Sequence, residues 1–99
     1  MAYRIRFADS AERHLARFAP RQQKIIVDAV KVQLRYEPLR ETRNRKHLRP
    51  NPLAPWELRV GTLRVFYEVD VLESDIVNVL AIGIKKGNLL IVSGKEIRI

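Results

Sequence analysis

Cysteine is absent from the 99-residue sequence, and tryptophan and methionine occur once each. The absence of cysteine excludes disulfides, a thiol nucleophile and cysteine-ligated zinc or iron–sulfur sites, and it fits a reducing compartment. No apolar run comes near the ~20 residues that cross a bilayer. Residues 1–7 alternate basic and apolar side chains, whereas a signal peptide has a continuous apolar core there. We therefore expect a cytoplasmic protein with no membrane partner.

Acidic residues are the minority among the charged ones. Nineteen lysines and arginines stand against eleven aspartates and glutamates, which gives a formal net charge of +8. A positive field on so small a protein attracts nucleic acid, the ribosome or an acidic protein. Hydrophobic residues make up 46% of the chain, which is enough for one core. We expect residues 1–99 to form a single domain.

Hydrophobic periodicity predicts a strand and then two helices in the first part of the chain. Residues 3–7 alternate as a half-buried strand does. Asp9 and Glu12 resemble a capping box in front of a short amphipathic helix over residues 10–18. Pro20 is well placed to begin a second helix, which should end near residue 36 because a proline follows shortly after. The short link between the helices predicts an antiparallel pair.

The second part of the chain is typical of β-structure. Residues 37–55 hold four of the five prolines and form a stiff, basic connection. From Trp56 onward, two strand-like runs flank Gly61-Thr62, a pair that suits a type II′ hairpin. Residues 76–84 are apolar on both alternating sets, as in a central strand covered on both faces. A short strand or hairpin is expected around Ser93-Gly94.

These elements predict an α+β fold. Two N-terminal antiparallel helices should pack on a twisted, mainly antiparallel sheet of four to five strands. The two-residue loop fixes the hairpin register, so that alternate residues share the side that the helices cover. These residues are Trp56, Leu58, Val60, Leu63, Val65 and Tyr67.

The same register places Arg59 directly opposite Arg64 on the other, exposed side of the sheet. A like-charge pair in this position costs about 0.2–1 kcal/mol. A bound anion would relieve the repulsion, and so would a neighbouring carboxylate such as Glu57 or Glu68. If the next turn is centred on residues 73–74, Gly83 comes beside Arg64 and Lys85 follows on the same side.

Three cations would then converge beside a glycine that leaves room for close approach, with Phe66 as a stacking surface. Arginines on rigid strands can clamp a phosphate and stabilise charge on a pentacoordinate phosphoryl group. RNA cleavage needs no metal or cofactor, because the ribose 2′-hydroxyl is the nucleophile. His47, Glu57 and Lys85 are the candidates for moving protons.

Two segments carry a family resemblance. W-E-L-R-V-G-T-L-R-V-F-Y-E-V at 56–69 and L-A-I-G-I-K-K at 80–86, together with the order of elements, resemble the RelE/ParE superfamily of type II toxin–antitoxin toxins. The similarity extends over essentially the whole chain. It implies one of two activities. RelE-type members are ribosome-dependent endoribonucleases that cleave mRNA in the A site, whereas ParE-type members inhibit DNA gyrase. Antitoxins wrap around both and neutralise them.

The resemblance implies catalytic roles for Arg59, Arg64 and Lys85. Glu57 is a further catalytic candidate, although it departs from the family pattern, since many RelE-type enzymes have lysine at this position. No tyrosine lies near residues 90–91, where a C-terminal catalytic tyrosine is expected; other RelE-like nucleases use a glutamate or histidine base, and Glu57 or His47 would take that role here. RNA contacts are expected from the basic connection and from the end of the long strand, at Arg45, Lys46, His47 and Lys86.

The expected function is therefore that of a toxin that cleaves mRNA on the ribosome and represses translation. Its expected partners are the ribosome, mRNA and a cognate antitoxin, with which it would form a hetero-oligomer. No metal or cofactor is expected. The alternatives are a gyrase inhibitor and an inactive RNA-binding homologue.

Overall fold

The computed structural model describes residues 2–70, 72–73 and 75–99, and it contains two helices and seven strands in this part of the chain. The elements in chain order are β1 (Arg4–Phe7), α1 (Asp9–Ala16), α2 (Pro20–Leu34), β2 (Arg45–His47), β3 (Trp56–Val60), β4 (Leu63–Asp70), β5 (Ile76–Lys86), β6 (Leu89–Val92) and β7 (Lys95–Ile97). The α+β class is confirmed. Neither described helix is long and apolar enough to cross a membrane.

The strands form one sheet in the order β2-β3-β4-β5-β6-β7, in which all neighbours are antiparallel. β1 pairs in parallel with the first residues of β5, and β6 pairs with its last residues along the same edge. The mainly antiparallel sheet is confirmed, but its seven strands exceed the predicted four to five. β2 was missed because three residues within a basic segment show no clear period.

The start of α1 differs from the prediction. The helix begins at Asp9 with Ala8 as its N-cap, and no side chain caps it, so the predicted capping box of Asp9 and Glu12 is wrong. The reason lies in the sheet, because the Ala8 amide donates to the Val79 carbonyl at 2.9 Å and fixes where the chain leaves β1. The second helix begins at Pro20 as predicted.

The main core lies between the helices and one face of the sheet. Ala11 of α1 and three residues of α2 contact the alternating residues of β3 and β4 that were predicted for this side. The predicted hairpin register is confirmed at every pair, from Trp56 opposite Tyr67 to Val60 opposite Leu63. The Tyr67 hydroxyl donates to the Pro38 carbonyl at 2.7 Å, and burial raises the pKa of this phenol.

A second core covers part of the opposite face, which was expected to be exposed. It consists of Ala54, Phe66, Ala81, Leu90 and Val92. Phe66 is fully buried, so the prediction that it offers a stacking surface is wrong. Leu90 and Val92 of β6 and Ala54 of the proline-rich segment before β3 pack in one cluster with the ring.

Gly83 lies where β6 passes closest to β5. A Cβ atom at this position would stand 2.7 Å from the Ile91 carbonyl oxygen and 2.8 Å from Val92 Cγ2. The space beside this glycine is therefore filled by the protein's own backbone and is not open to a ligand. The predicted pairing of Arg64 with Gly83 is confirmed, while the turn predicted at residues 73–74 includes Ser74, which lies outside the described residues.

The burial of Phe66 leads to a prediction about stability. Phe66→Ala should lower the free energy of unfolding by about 3–5 kcal/mol, because it removes a fully buried ring from the second core. Tyr36→Ala is the matched control, since Tyr36 is 58% exposed and its loss should change stability by no more than about 0.5 kcal/mol. Urea unfolding of both variants measures the difference. Equal midpoints for the two variants would contradict the second core.

Candidate anion-binding site

Arg59 and Arg64 lie opposite each other on the face away from the helices, as predicted. Glu57, which precedes Arg59 by two residues and shares its face, stands between them. The Arg59 Nε donates to Glu57 Oε1 at 2.8 Å, and the Arg64 Nε is 3.6 Å from the same oxygen. One carboxylate thus offsets the repulsion between two facing guanidiniums. Of the two alternatives stated above, a bound anion or a neighbouring carboxylate, the structure shows the carboxylate of Glu57.

The three side chains differ in burial. Only 7% of the Glu57 side chain is exposed, against 47% for Arg59 and 14% for Arg64. Arg64 also holds the hairpin turn, because its Nη1 donates to the carbonyls of Gly61 at 2.7 Å and Leu63 at 2.9 Å. Its other amino group, Nη2, makes no hydrogen bond to any residue that the structure describes. That group is left for a ligand.

The hairpin turn itself depends on glycine. Gly61 has a φ of +60°, the sign that the first central position of a type II′ turn requires. The amide of Lys85 donates to the Thr62 carbonyl at 2.8 Å, which ties the end of β5 to this turn. Lys85 is exposed and lies two residues beyond Gly83 on the face of Arg64. Lys46 faces Glu57 across β2 and β3 and so shares this face.

A cleft of about 390 Å³ lies over this face. Glu57, Arg64 and Lys85 form one side of it, and the chain from the β5–β6 turn to the C-terminal residues forms the rest. The residues contributed by these segments are Asn88, Leu89, Leu90, Glu96, Ile97, Arg98 and Ile99. Arg59 does not line the cleft and is linked to it through Glu57.

The sequence interpretation missed the contribution of residues 96–99 to the cleft. The hairpin around Ser93-Gly94 was predicted, and it is present as β6 and β7. Its position beside the arginine face depends on the pairing of β6 with the end of β5, a contact between strands that no local pattern indicates. The alternation of charged and apolar residues in KEIRI was the one available sign that this segment pairs with a strand.

The four residues predicted to contact RNA do not come together. Arg45 is 8% exposed, and its guanidinium donates to the carbonyls of Gln33 at 2.6 Å and Arg40 at 3.1 Å. It joins β2 to the end of α2. Among these four residues, only Lys46 shares the face of the arginine pair.

His47 and Lys86 lie elsewhere on the surface. The His47 ring packs edge-on against Trp56, with centroids 5.1 Å apart, and lines a separate, mainly apolar cavity of about 460 Å³. Lys86 lines a third cavity beside α1, together with His14 and Arg17. His14 accepts a hydrogen bond from the Ile82 amide at 3.2 Å. Burial lowers the pKa of His14, and the charges of two neighbouring arginines lower it further.

The arrangement suits the binding of an anion such as a phosphate. Arg64 and Lys85 bring two cations to one cleft, and both project from paired strands that fix their positions. Among the described residues, no group of three or more histidines, aspartates or glutamates is placed to hold a metal ion. Arg64 and Lys85 can bind phosphate oxygens and stabilise negative charge.

Comparison with known proteins identifies the family. The model of the family described as ParE toxin of type II toxin–antitoxin system, parDE, matches residues 5–88. No curated protein sequence gives a match.

Two solved structures are similar to this chain. The toxin–antitoxin complex RelBE2 from Mycobacterium tuberculosis contains a chain that is 30% identical, with a TM-score of 0.73 over 86% of this chain and 93% of that one. The archaeal RelE–RelB complex from Pyrococcus horikoshii contains a chain that is 21% identical, with a TM-score of 0.63 over 83% of this chain and 93% of that one; this likeness shows the fold alone. Because the family model matches most of its residues, the chain belongs to the ParE toxin family, within the RelE/ParE superfamily of type II toxin–antitoxin toxins.

Proposed function

We propose that this toxin is a metal-independent, ribosome-dependent mRNA endoribonuclease that represses translation. The observation that supports the proposal is the cleft in which Arg64 and Lys85 stand together against the C-terminal segment. Apolar side chains of Leu89, Ile97 and Ile99 line the same cleft. A ligand with both a phosphate and an apolar ring face, such as a nucleotide within RNA, is complementary to this combination.

The reaction requires little covalent chemistry from the protein. The ribose 2′-oxygen gives up its proton to solvent water and attacks the adjacent phosphorus, and the bond to the 5′-oxygen breaks as that oxygen takes up a proton, so that a cyclic phosphate and a 5′-hydroxyl are formed. Negative charge grows on the phosphoryl oxygens in the transition state, where Arg64 and Lys85 would stabilise it. The Lys85 ammonium is also able to donate a proton to the leaving 5′-oxygen.

The antitoxin partner is supported by the structural neighbours, both of which are described as toxin–antitoxin complexes. The net charge of +8 suits a partner with an acidic or mixed, partly disordered segment that folds on binding. Such a partner would cover the arginine face and lower the charge of the pair. The same charge favours association with ribosomal RNA and mRNA.

The first prediction concerns the cations of the cleft. Arg64→Ala and Lys85→Ala should each lower the rate of mRNA cleavage on ribosomes by about 100-fold or more, since each removes a group that stabilises the transition state. The rate is measured with ribosomes that carry a short synthetic mRNA and an empty A site. Growth after induction of each variant in cells provides the parallel measurement of toxicity.

Arg21→Ala is the matched control, because Arg21 is exposed on α2, away from the cleft, and the change also removes one positive charge. Arg64→Ala removes hydrogen bonds to the turn, so its melting temperature must be measured as well. Lys85 is exposed and its variant should keep the fold. A folded Lys85→Ala variant with the rate of the Arg21→Ala control would contradict the role of the cleft.

A second candidate function is the inhibition of DNA gyrase without any chemistry. The observation that favours it is the match to the ParE family model. The lack of any tyrosine after Tyr67 also fits, because the C-terminal catalytic tyrosine of RelE-type enzymes has no counterpart here. An inactive RNA-binding homologue would share the second feature.

Mapping of RNA 5′ ends after induction separates these functions. We expect new ends within coding sequences, phased to the reading frame, and we expect them to disappear in cells that express Lys85→Ala. Stalled replication and a DNA-damage response without new RNA ends would establish the gyrase inhibitor instead. If induction causes neither effect, the chain is an inactive homologue.

A further inference from the structure

We infer that Glu57 is a positioning residue that holds the two arginines in register, and that it does not accept the proton of the 2′-hydroxyl. The inference rests on the proposed ribonuclease function and assigns a role within the same site. It departs from the sequence interpretation, in which Glu57 was a candidate general base.

The position of the Glu57 carboxylate supports a role in holding the arginines. Glu57 Oε1 lies 2.8 Å from Arg59 Nε and 3.6 Å from Arg64 Nε. Only 7% of the Glu57 side chain is exposed. A general base must come within hydrogen-bond distance of the proton that it removes, and here the Arg59 guanidinium already occupies Oε1.

The same contacts determine how the guanidiniums are turned. Both arginines direct their Nε edge toward Glu57, which leaves Nη groups for a ligand. In Arg64 the Nη1 group is bound to two turn carbonyls, so Nη2 is the part of this side chain that a phosphate can engage. The carboxylate thus orients the donors as well as neutralising their repulsion.

Without the carboxylate, two guanidiniums would face each other across β3 and β4 with nothing between them. Their repulsion would push the exposed Arg59 away first, since 47% of its side chain is accessible to solvent against 14% for Arg64. The Nη groups would then lose their alignment. A displacement of about 1 Å in a positioning group can cost about 100-fold in rate.

Removal of Glu57 should therefore affect RNA binding and RNA cleavage in different ways. The chain gains one unit of positive charge, so its affinity for RNA should stay the same or increase. The cleavage step itself should slow down, because Arg64 is no longer held in the orientation that stabilises the phosphoryl group. If Glu57 were needed only for folding, its substitution would lower both RNA binding and the cleavage rate, because less native protein would be present.

The test compares Glu57→Gln and Glu57→Ala with wild-type protein in single-turnover cleavage of mRNA on programmed ribosomes. Glu57→Gln keeps the shape of the side chain and an oxygen that accepts from Arg59, so it should lower the maximal rate about tenfold. Glu57→Ala should lower it about 100-fold. The toxin concentration at half-maximal rate should not rise in either variant. Glu12→Ala, which removes an exposed carboxylate from α1, is the matched control.

The dependence of the rate on pH decides between positioning and proton transfer. If Glu57 positions the arginines, Glu57→Gln lowers the cleavage rate by the same factor at every pH. The shape of the plot of rate against pH is then unchanged. Loss of the acid-side decline in Glu57→Gln would identify Glu57 as the base and overturn the inference. Rates equal to those of the Glu12→Ala control would also overturn it, with the ribonuclease function intact. If wild-type toxin itself does not cleave the mRNA, the proposed function fails and the inference fails with it.

Discussion

The register of the hairpin between β3 and β4 is the constraint on which both the core and the candidate site depend. The two-residue turn at Gly61-Thr62 permits one pairing, in which Trp56 lies opposite Tyr67 and Arg59 opposite Arg64. Because side chains alternate along a strand, a slip of one residue would expose the aromatic pair and turn the arginines toward the helices. The energy of the main core therefore also fixes the positions of the charged groups on the other face.

The second core lies on the same face of the sheet as the charged groups and affects how strongly they interact. A carboxylate between two guanidiniums in open water would contribute little, because solvent screens exposed ion pairs. Here Glu57 lies opposite the fully buried Phe66 on the neighbouring strand, and only 7% of its side chain is exposed, so the charges interact in a medium of lower dielectric constant than water. The cost of burying the carboxylate is offset only if its partners stay in place. That requirement couples the order of the arginines to the packing of β6 and of the proline-rich segment.

Local patterns predicted the elements and the hairpin, since period-two alternation and a glycine-containing turn are properties of neighbouring residues. They failed where contacts between residues distant in sequence determine the structure. Ala8 replaced Asp9 as the N-cap because its amide pairs with Val79 in the sheet. The burial of Phe66 and Arg45, and the participation of residues 96–99 in the cleft, follow from contacts between segments that are distant in sequence or on different strands. Among these features, only the pairing of residues 95–97 has a local sign, in the alternation of charged and apolar residues there.

Membership of the ParE toxin family and likeness to a chain of the RelBE2 complex establish the scaffold of a type II toxin, for which the two activities considered above are proposals. The shared scaffold cannot distinguish them, because fold does not determine function. The distinction must come from the side chains of the outer face. An inhibitor of a large enzyme needs a broad complementary surface, and a cleft of about 390 Å³ is no advantage to it. A nuclease needs cations held at fixed positions within a concave site, because its catalysis depends on alignment with a growing charge. The cleft that joins Arg64 and Lys85, with Glu57 and Arg59 behind it, meets the second requirement, and for this reason we favour the ribonuclease over the inhibitor.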